Sequence, residues 1–149
     1  NSRSIGIELS NPGHDYGYRA FPNAQIETLI ELTNGILERH PIPARNVVAH
    51  SDIAPSRKID PGELFPWGQL AANGIGVWPG QVSAAVSEQD AAQTLQAIGY
   101  DVAENKFKTV LSAFQRRFRP ACFDGVPDHE TRSCIAAVHE LVAETPPTD

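Results

Sequence analysis

His50 and Asp60 stand ten positions apart in HSDIAPSRKIDPG, a proline-rich loop of residues 50–62 that also carries Lys58. Imidazole nitrogen and carboxylate oxygen are both ordinary zinc ligands, so the pair could hold a metal. A catalytic zinc takes three protein ligands and keeps an open position, and this loop offers two. The same residues have plainer uses. Asp60 before Pro61-Gly62 suits a turn, and Lys58 suits a solvated loop. Glu8, inside the alternating stretch Ser4-Ile5-Gly6-Ile7-Glu8-Leu9, could simply face solvent from a half-exposed sheet.

These residues need elements to position them. Ile5, Ile7 and Leu9 alternate with Gly6 and Glu8, a period of two that predicts a strand. Residues 11–23, NPGHDYGYRAFPN, read as a loop rich in proline, glycine and aromatic rings. Asn23 suits a helix cap, and Ile26, Leu29, Ile30 and Leu37 form one helical stripe. Pro41 and Pro43 should stop that helix near His40, whose ring would favour the helix's negative end. Residues 46–49 read as a short strand delivering His50, and residues 63–72 as a short helix.

Beyond the glycine and proline residues at 74–79 the pattern becomes purely helical. Ser87-Glu88-Gln89-Asp90 has the form of a capping box ahead of the stripe Ala91, Leu95, Ile98. Gly99 should end that helix. Phe107, Val110, Leu111, Phe114 and Phe118 keep i, i+3, i+4, i+7, i+11 spacing, and Asp128 caps a third helix lined by Ile135, Val138 and Val142. The expectation is therefore α/β for the fold: a partial mixed β-sheet flanked by helices over residues 1–80, followed by a small three-helix domain over residues 81–149.

The totals exclude some partners. With 149 residues and a formal net charge of −6, the chain offers no phosphate-tracking basic surface, so nucleic acid is not an expected partner. Its densest basic cluster, Arg116-Arg117-Phe118-Arg119, falls where a helix C-terminus favours cations. No apolar run approaches the roughly 20 residues of a membrane span.

The string AHSDIAPSRKIDPG, followed by LFPW, closely resembles the C-terminal signature of zinc-dependent N-acetylmuramoyl-L-alanine amidases of the amidase-2 family, the AmiD-like and AmpD-like peptidoglycan amidases above all. SIGIEL resembles the same family's central strand. The resemblance covers roughly the first 80 residues. It implies zinc as cofactor, His50 and Asp60 as two of its ligands, Lys58 as the residue steadying the oxyanion, and Glu8 as general base. The implied reaction is hydrolysis of the amide between the lactyl group of N-acetylmuramic acid and L-alanine. The family's third ligand is a histidine on a strand upstream of SIGIEL, which would lie ahead of Asn1. An N-terminal segment, in the same chain or as a separate fragment, is thus an expected partner. His14 and Tyr16, in a loop that by resemblance borders the substrate groove, are expected at the substrate rather than at the metal.

LQAIGYDV, LSAFQRRF and FDGVPDHET resemble the helical peptidoglycan-binding domain of cell-wall hydrolases, while Leu95, Phe114 and Phe118 are core residues whatever that domain does. By resemblance such a domain points to the periplasm or cell envelope. Cys122 and Cys134 do not match a zinc spacing, and they would serve equally as a disulfide or as two thiols. Two rival functions follow from the same residues: an AmpD-like recycling amidase acting on soluble anhydro-muropeptides, and a non-catalytic peptidoglycan-binding protein.

Overall fold

The computed structural model describes residues 3–80, 84–103 and 106–144, and every regular element among them is a helix. The helices are α1 (Asn23–Arg39), α2 (His50–Ile53), α3 (Trp67–Ala71), α4 (Ala91–Ile98), α5 (Phe107–Phe118) and α6 (His129–Ala143), with 3-10 turns at His14–Tyr16 and Ala44–Asn46. No helix among the described residues is long and apolar enough to cross a membrane.

The expected sheet is not there. Residues 4–10 contain no strand, and Ile5 and Ile7 remain 53% and 39% exposed. Residues 47–49 are likewise without a ladder and lead directly into α2, so His50 opens a helical turn rather than closing a strand. Side-chain alternation specifies an extended backbone, but a strand exists only where a second segment accepts and donates its ladder bonds. No described segment pairs with either stretch. The fold is all-helical over the described residues, and the α/β expectation is corrected accordingly.

Two apolar clusters organise the chain. The first gathers Phe21, Ile26, Leu29, Phe65, Trp67 and Ile75 around α1 and α3. Phe65 meets Phe21 edge-on at 5.3 Å and Trp67 at 4.9 Å, arrangements that add to simple area burial. Leu9 packs against this cluster from the extended N-terminal stretch. The second cluster lies among α4, α5 and α6, with Leu95, Val110, Leu111, Phe114, Ile135 and Val138 all at 0% exposure. These are the residues that the helical periodicity put on one face.

The helix ends are set by identifiable groups. Pro22, not Asn23, occupies the N-cap of α1, and Asn23 is its first helical residue. Ahead of α4, the Ser87 hydroxyl accepts from the Asp90 backbone N–H (3.1 Å) and donates to the Asp90 carboxylate (2.6 Å). Asp128 caps α6 by accepting from the Thr131 N–H at 2.9 Å. That bond first, with others from Thr131 and Arg119, holds the Asp128 carboxyl below its ordinary pKa against a small desolvation cost. Gln115, fully buried in α5, accepts from the Gly125 N–H (2.7 Å) and donates to Val126 O (3.0 Å), fastening the turn before α6. Gly125 has φ +73°, and a side chain there would collide with Lys108. The turn therefore needs glycine.

The basic cluster divides. Arg119 bridges Asp128 (2.8 Å) and Glu130 (2.6 Å) at the start of α6. Arg117 is buried and reaches into the other half of the chain, so the helix dipole is not what places it. Cys122 and Cys134 are free thiols.

Candidate metal centre

The 50–62 loop closes on itself. Ala54 and Lys58 are joined by a backbone bond (2.9 Å), and the Ser51 N–H donates to Asp60 O at 3.1 Å. These bonds bring the ends of the loop together, and His50 Nδ1 comes to lie 3.0 Å from Asp60 Oδ2. The two side chains are 49% and 58% exposed, so solvent reaches both. A contact this exposed stabilises a fold by at most about 1 kcal/mol.

The donor set fits zinc. Nitrogen and oxygen ligands at about 2.0–2.1 Å in a tetrahedral arrangement lie about 3.3 Å from one another. The observed separation is close to that, without any movement of the loop. The two ligands are, however, only part of a complement: among the described residues, no group of three or more His, Cys, Asp or Glu gathers to hold a metal.

The other expected site residues are placed differently. Lys58 is half-buried on the loop, and its side chain makes no bond to the His50–Asp60 pair. Glu8 is exposed and lines a shallow groove between its own stretch and α1, beside Leu9, Gln25 and Leu29. The structure therefore unites His50 with Asp60, and Glu8 is not gathered with them into a group of three that could hold a metal.

His14 docks on the far side of the same loop. Its Nε2 lies 3.0 Å from Glu63 Oε2, and its ring stacks on Tyr18 at 4.1 Å. The Tyr18 hydroxyl donates to Pro61 O (2.8 Å) and accepts from the Leu64 N–H (2.9 Å). Burial, above all, raises the Tyr18 pKa and keeps the hydroxyl a donor. Gly62, at φ +88°, lies so close beneath this hydroxyl that any side chain would strike it. His14 and Tyr18 thus hold the residues next to Asp60, whereas Tyr16 is 84% exposed and free to meet a ligand.

A second set of supports went unnoticed in the sequence. Asp52, in the same turn as His50, is buried and accepts from the Ala49 N–H (2.8 Å), the Tyr100 hydroxyl (2.6 Å) and Arg117 Nη1. The signal was Arg117 itself. It stands seven residues after Val110 and three after Phe114, on the apolar stripe of α5, where a charge must find a buried partner.

Comparison with known proteins follows the same division of the chain. Residues 1–63 match the family described as N-acetylmuramoyl-L-alanine amidase. The chain is similar to the N-acetylmuramoyl-L-alanine amidase AmiD of Escherichia coli (strain K12), at 41% identity over 94% of this chain and 58% of that protein. It is 44% identical to the 1,6-anhydro-N-acetylmuramyl-L-alanine amidase AmpD of Enterobacter cloacae, over 48% of this chain and 36% of that protein. Among solved structures it resembles the E. coli AmiD complex with the substrate anhydro-N-acetylmuramic acid-L-Ala-D-gamma-Glu-L-Lys. The TM-score is 0.75 at 39% identity, covering 85% of this chain and 55% of that one. The chain thus spans little more than half of the AmiD relative's length.

Proposed function

We propose that this chain carries the metal loop of a zinc-dependent amidase that hydrolyses the bond between N-acetylmuramic acid and L-alanine in muropeptides. The observation that carries the reading is the 3.0 Å convergence of His50 Nδ1 and Asp60 Oδ2 in a loop belonging to the stretch that matches the amidase family. The AmiD complex with an anhydro-muramyl peptide supports the substrate class.

In this reading His50 and Asp60 hold the zinc, with a further ligand from outside the described residues. Zinc supplies Lewis acidity, which makes the attacking water more acidic and polarises the carbonyl. Glu8 takes the proton from that water as the oxygen–carbon bond forms, and returns it to the L-alanine nitrogen as the carbon–nitrogen bond breaks. Lys58 supplies positive charge to the carbonyl oxygen as it becomes negative. Tyr16, and His14 through its edge, contact the glycan or stem peptide. The products are a free lactyl carboxylate and a peptide with an L-alanine amino terminus.

Residues 1–80 are read as part of the catalytic unit and residues 81–149 as a helical unit that attaches it to peptidoglycan, in the periplasm or cell envelope. AmiD matches nearly the whole chain and AmpD about half of it, so the likeness of residues 81–149 is to AmiD.

Asp60→Ala tests the reading at its centre. Zinc binding, followed by calorimetry, and release of L-alanine-terminated peptide, followed by mass spectrometry, should disappear together. Asp60 is exposed, so the unfolding free energy should move by no more than about 0.5 kcal/mol. A wild-type protein that pellets with sacculi, takes up zinc and still releases no peptide would instead make this a wall-binding protein.

A further inference from the structure

We infer that Arg117 and Tyr100, from the helical half of the chain, are positioning residues for His50. They pin the turn that presents it. The consequence for zinc and turnover rests on the amidase reading, but the pinning itself does not.

The connection runs through few atoms. Arg117 Nη1 donates to Asp52 Oδ2 and Nη2 donates to Val47 O at 3.1 Å. Tyr100 donates to Asp52 Oδ1 at 2.6 Å. Asp52 Oδ2 in turn accepts from the Ala49 N–H at 2.8 Å. Val47, Ala49 and Asp52 bracket His50 on both sides, so the backbone that aims the imidazole is held at three points. Two of the three are reached from residues distant in sequence. α2 itself is a single turn of four residues and too short to hold its shape alone.

The guanidinium is seated as well as bonded. It lies 3.9 Å over the Trp67 ring and 4.8 Å from the Phe118 ring, and it is buried. Gly76, at φ +76°, turns the chain beside it in a conformation that side chains rarely adopt, and a Cβ there would come into ordinary contact with Arg117, Trp67 and Val47 O. Planar, forked and stacked, this position suits arginine and not lysine: an ammonium can serve Asp52 or Val47 O, but cannot also lie flat on the indole. A buried ion pair is weak ground for stability, because apolar residues of similar volume often do as well. What it does fix is geometry, since each charge must meet its partner at a particular atom. Here that geometry is the approach of α5 to the turn carrying His50. The helical half is accordingly part of the scaffold of the metal loop and more than an attachment to it.

The experiment uses the full natural protein and two variants, Arg117→Lys and Tyr100→Phe; the second removes a single hydroxyl and retains the fold if the first does not. Hydrogen exchange on the metal-free protein reads the amides of Ser51, Ile53 and Ala54, which donate to Asp60 O, Ala49 O and His50 O. Exchange at these amides should accelerate about tenfold while the amides within α5 and α6 keep their protection. Titration with zinc alone should give a dissociation constant about tenfold weaker, with kcat on an anhydro-muramyl peptide falling more than KM rises. Unchanged exchange at all three amides overturns the inference. So does acceleration spread evenly over every helix, which would make Arg117 and Tyr100 ordinary stabilising residues. Local acceleration in a protein whose wild type binds no zinc would support the pinning and overturn the amidase reading.

Discussion

Two side-chain pairs begin two residues apart in sequence, at His50 and Asp52, and are built for opposite purposes. His50–Asp60 is about half exposed on both sides, while Asp52–Arg117 is 3% exposed at the arginine and 6% at the aspartate. The exposed pair is cheap to rearrange, because water competes for both partners and the Coulomb energy is small. The buried pair is costly to disturb, since removing either partner leaves a charge without solvent or counter-charge. A site that must accept and release a ligand benefits from the first kind of contact resting on the second. The comparison separates chemistry from support, and substitutions can attack either side.

Short of removing a member of the pair, as in Asp60→Ala, the largest effect on the exposed side should come from Glu8. Glu8→Gln keeps the side chain's shape and removes its capacity to carry a proton. Zinc affinity should be unchanged, and kcat should fall by about a hundredfold to ten-thousandfold, the range for losing a general base. Equilibrium unfolding should match the wild type, because Glu8 is exposed and the substitution keeps its shape. If Glu8→Gln instead emptied the site of zinc, Glu8 would be a ligand and its assignment as base would be wrong.

Phe114→Ala attacks the support. Phe114 is fully buried, and touches Phe118 at 4.9 Å and Tyr100 at 5.9 Å between ring centroids. Its truncation should cost about 3–5 kcal/mol in a denaturant titration. Because Tyr100 and Arg117 reach the turn carrying His50 from this core, zinc binding under the proposed function should weaken with it. A full loss of stability with unaltered zinc affinity would mean that the two halves are energetically separate.

The two sides also differed in what the sequence disclosed. Helices α4, α5 and α6 were legible because their signals are local: the i, i+3, i+4 stripe from Phe107 to Phe118, glycine at 99, aspartate at 128. The N-terminal half was misjudged where structure is not local. The alternation of Ile5, Ile7 and Leu9 carries no information about whether a partner strand lies alongside, and among the described residues none does. His50 and Asp60 stood out by type and spacing, and the structure brings them together. Glu8 was joined to them by resemblance, and in the structure it lines a groove beside α1. Asp52 and Tyr100 are unremarkable in their own neighbourhoods, and Arg117 reads there as a cation at a helix C-terminus. Only the position of Arg117 on an apolar stripe betrayed it, and the partner 65 residues away could not be read from either segment.

The smallest effect lies at the edge of the helical half's core and sharpens the contrast through pH. Cys134 packs against the second cluster, and its thiol faces Phe118 O at 3.7 Å. Burial first, and then the negative charge of Glu130, push its pKa from the usual 9.0 up to about 12, with Arg119 pulling weakly the other way. In the unfolded chain that thiol titrates near its ordinary value. As pH rises past about 9 the unfolded state therefore loses the proton first, and folding must hold it on. The thiol's contribution to stability is fully present at neutral pH and is lost as pH climbs towards 12, at no more than about 1.4 kcal/mol per pH unit. Other groups titrate in the same window, so the informative quantity is the difference between wild type and Cys134→Ala. In urea titrations at pH 8, 9 and 10, that difference should be constant up to about pH 9 and then shrink, as the wild type loses an advantage the variant never had. A constant difference throughout would mean that the folded thiol ionises as readily as the unfolded one, and that solvent reaches this part of the core as freely as it reaches His50 and Asp60.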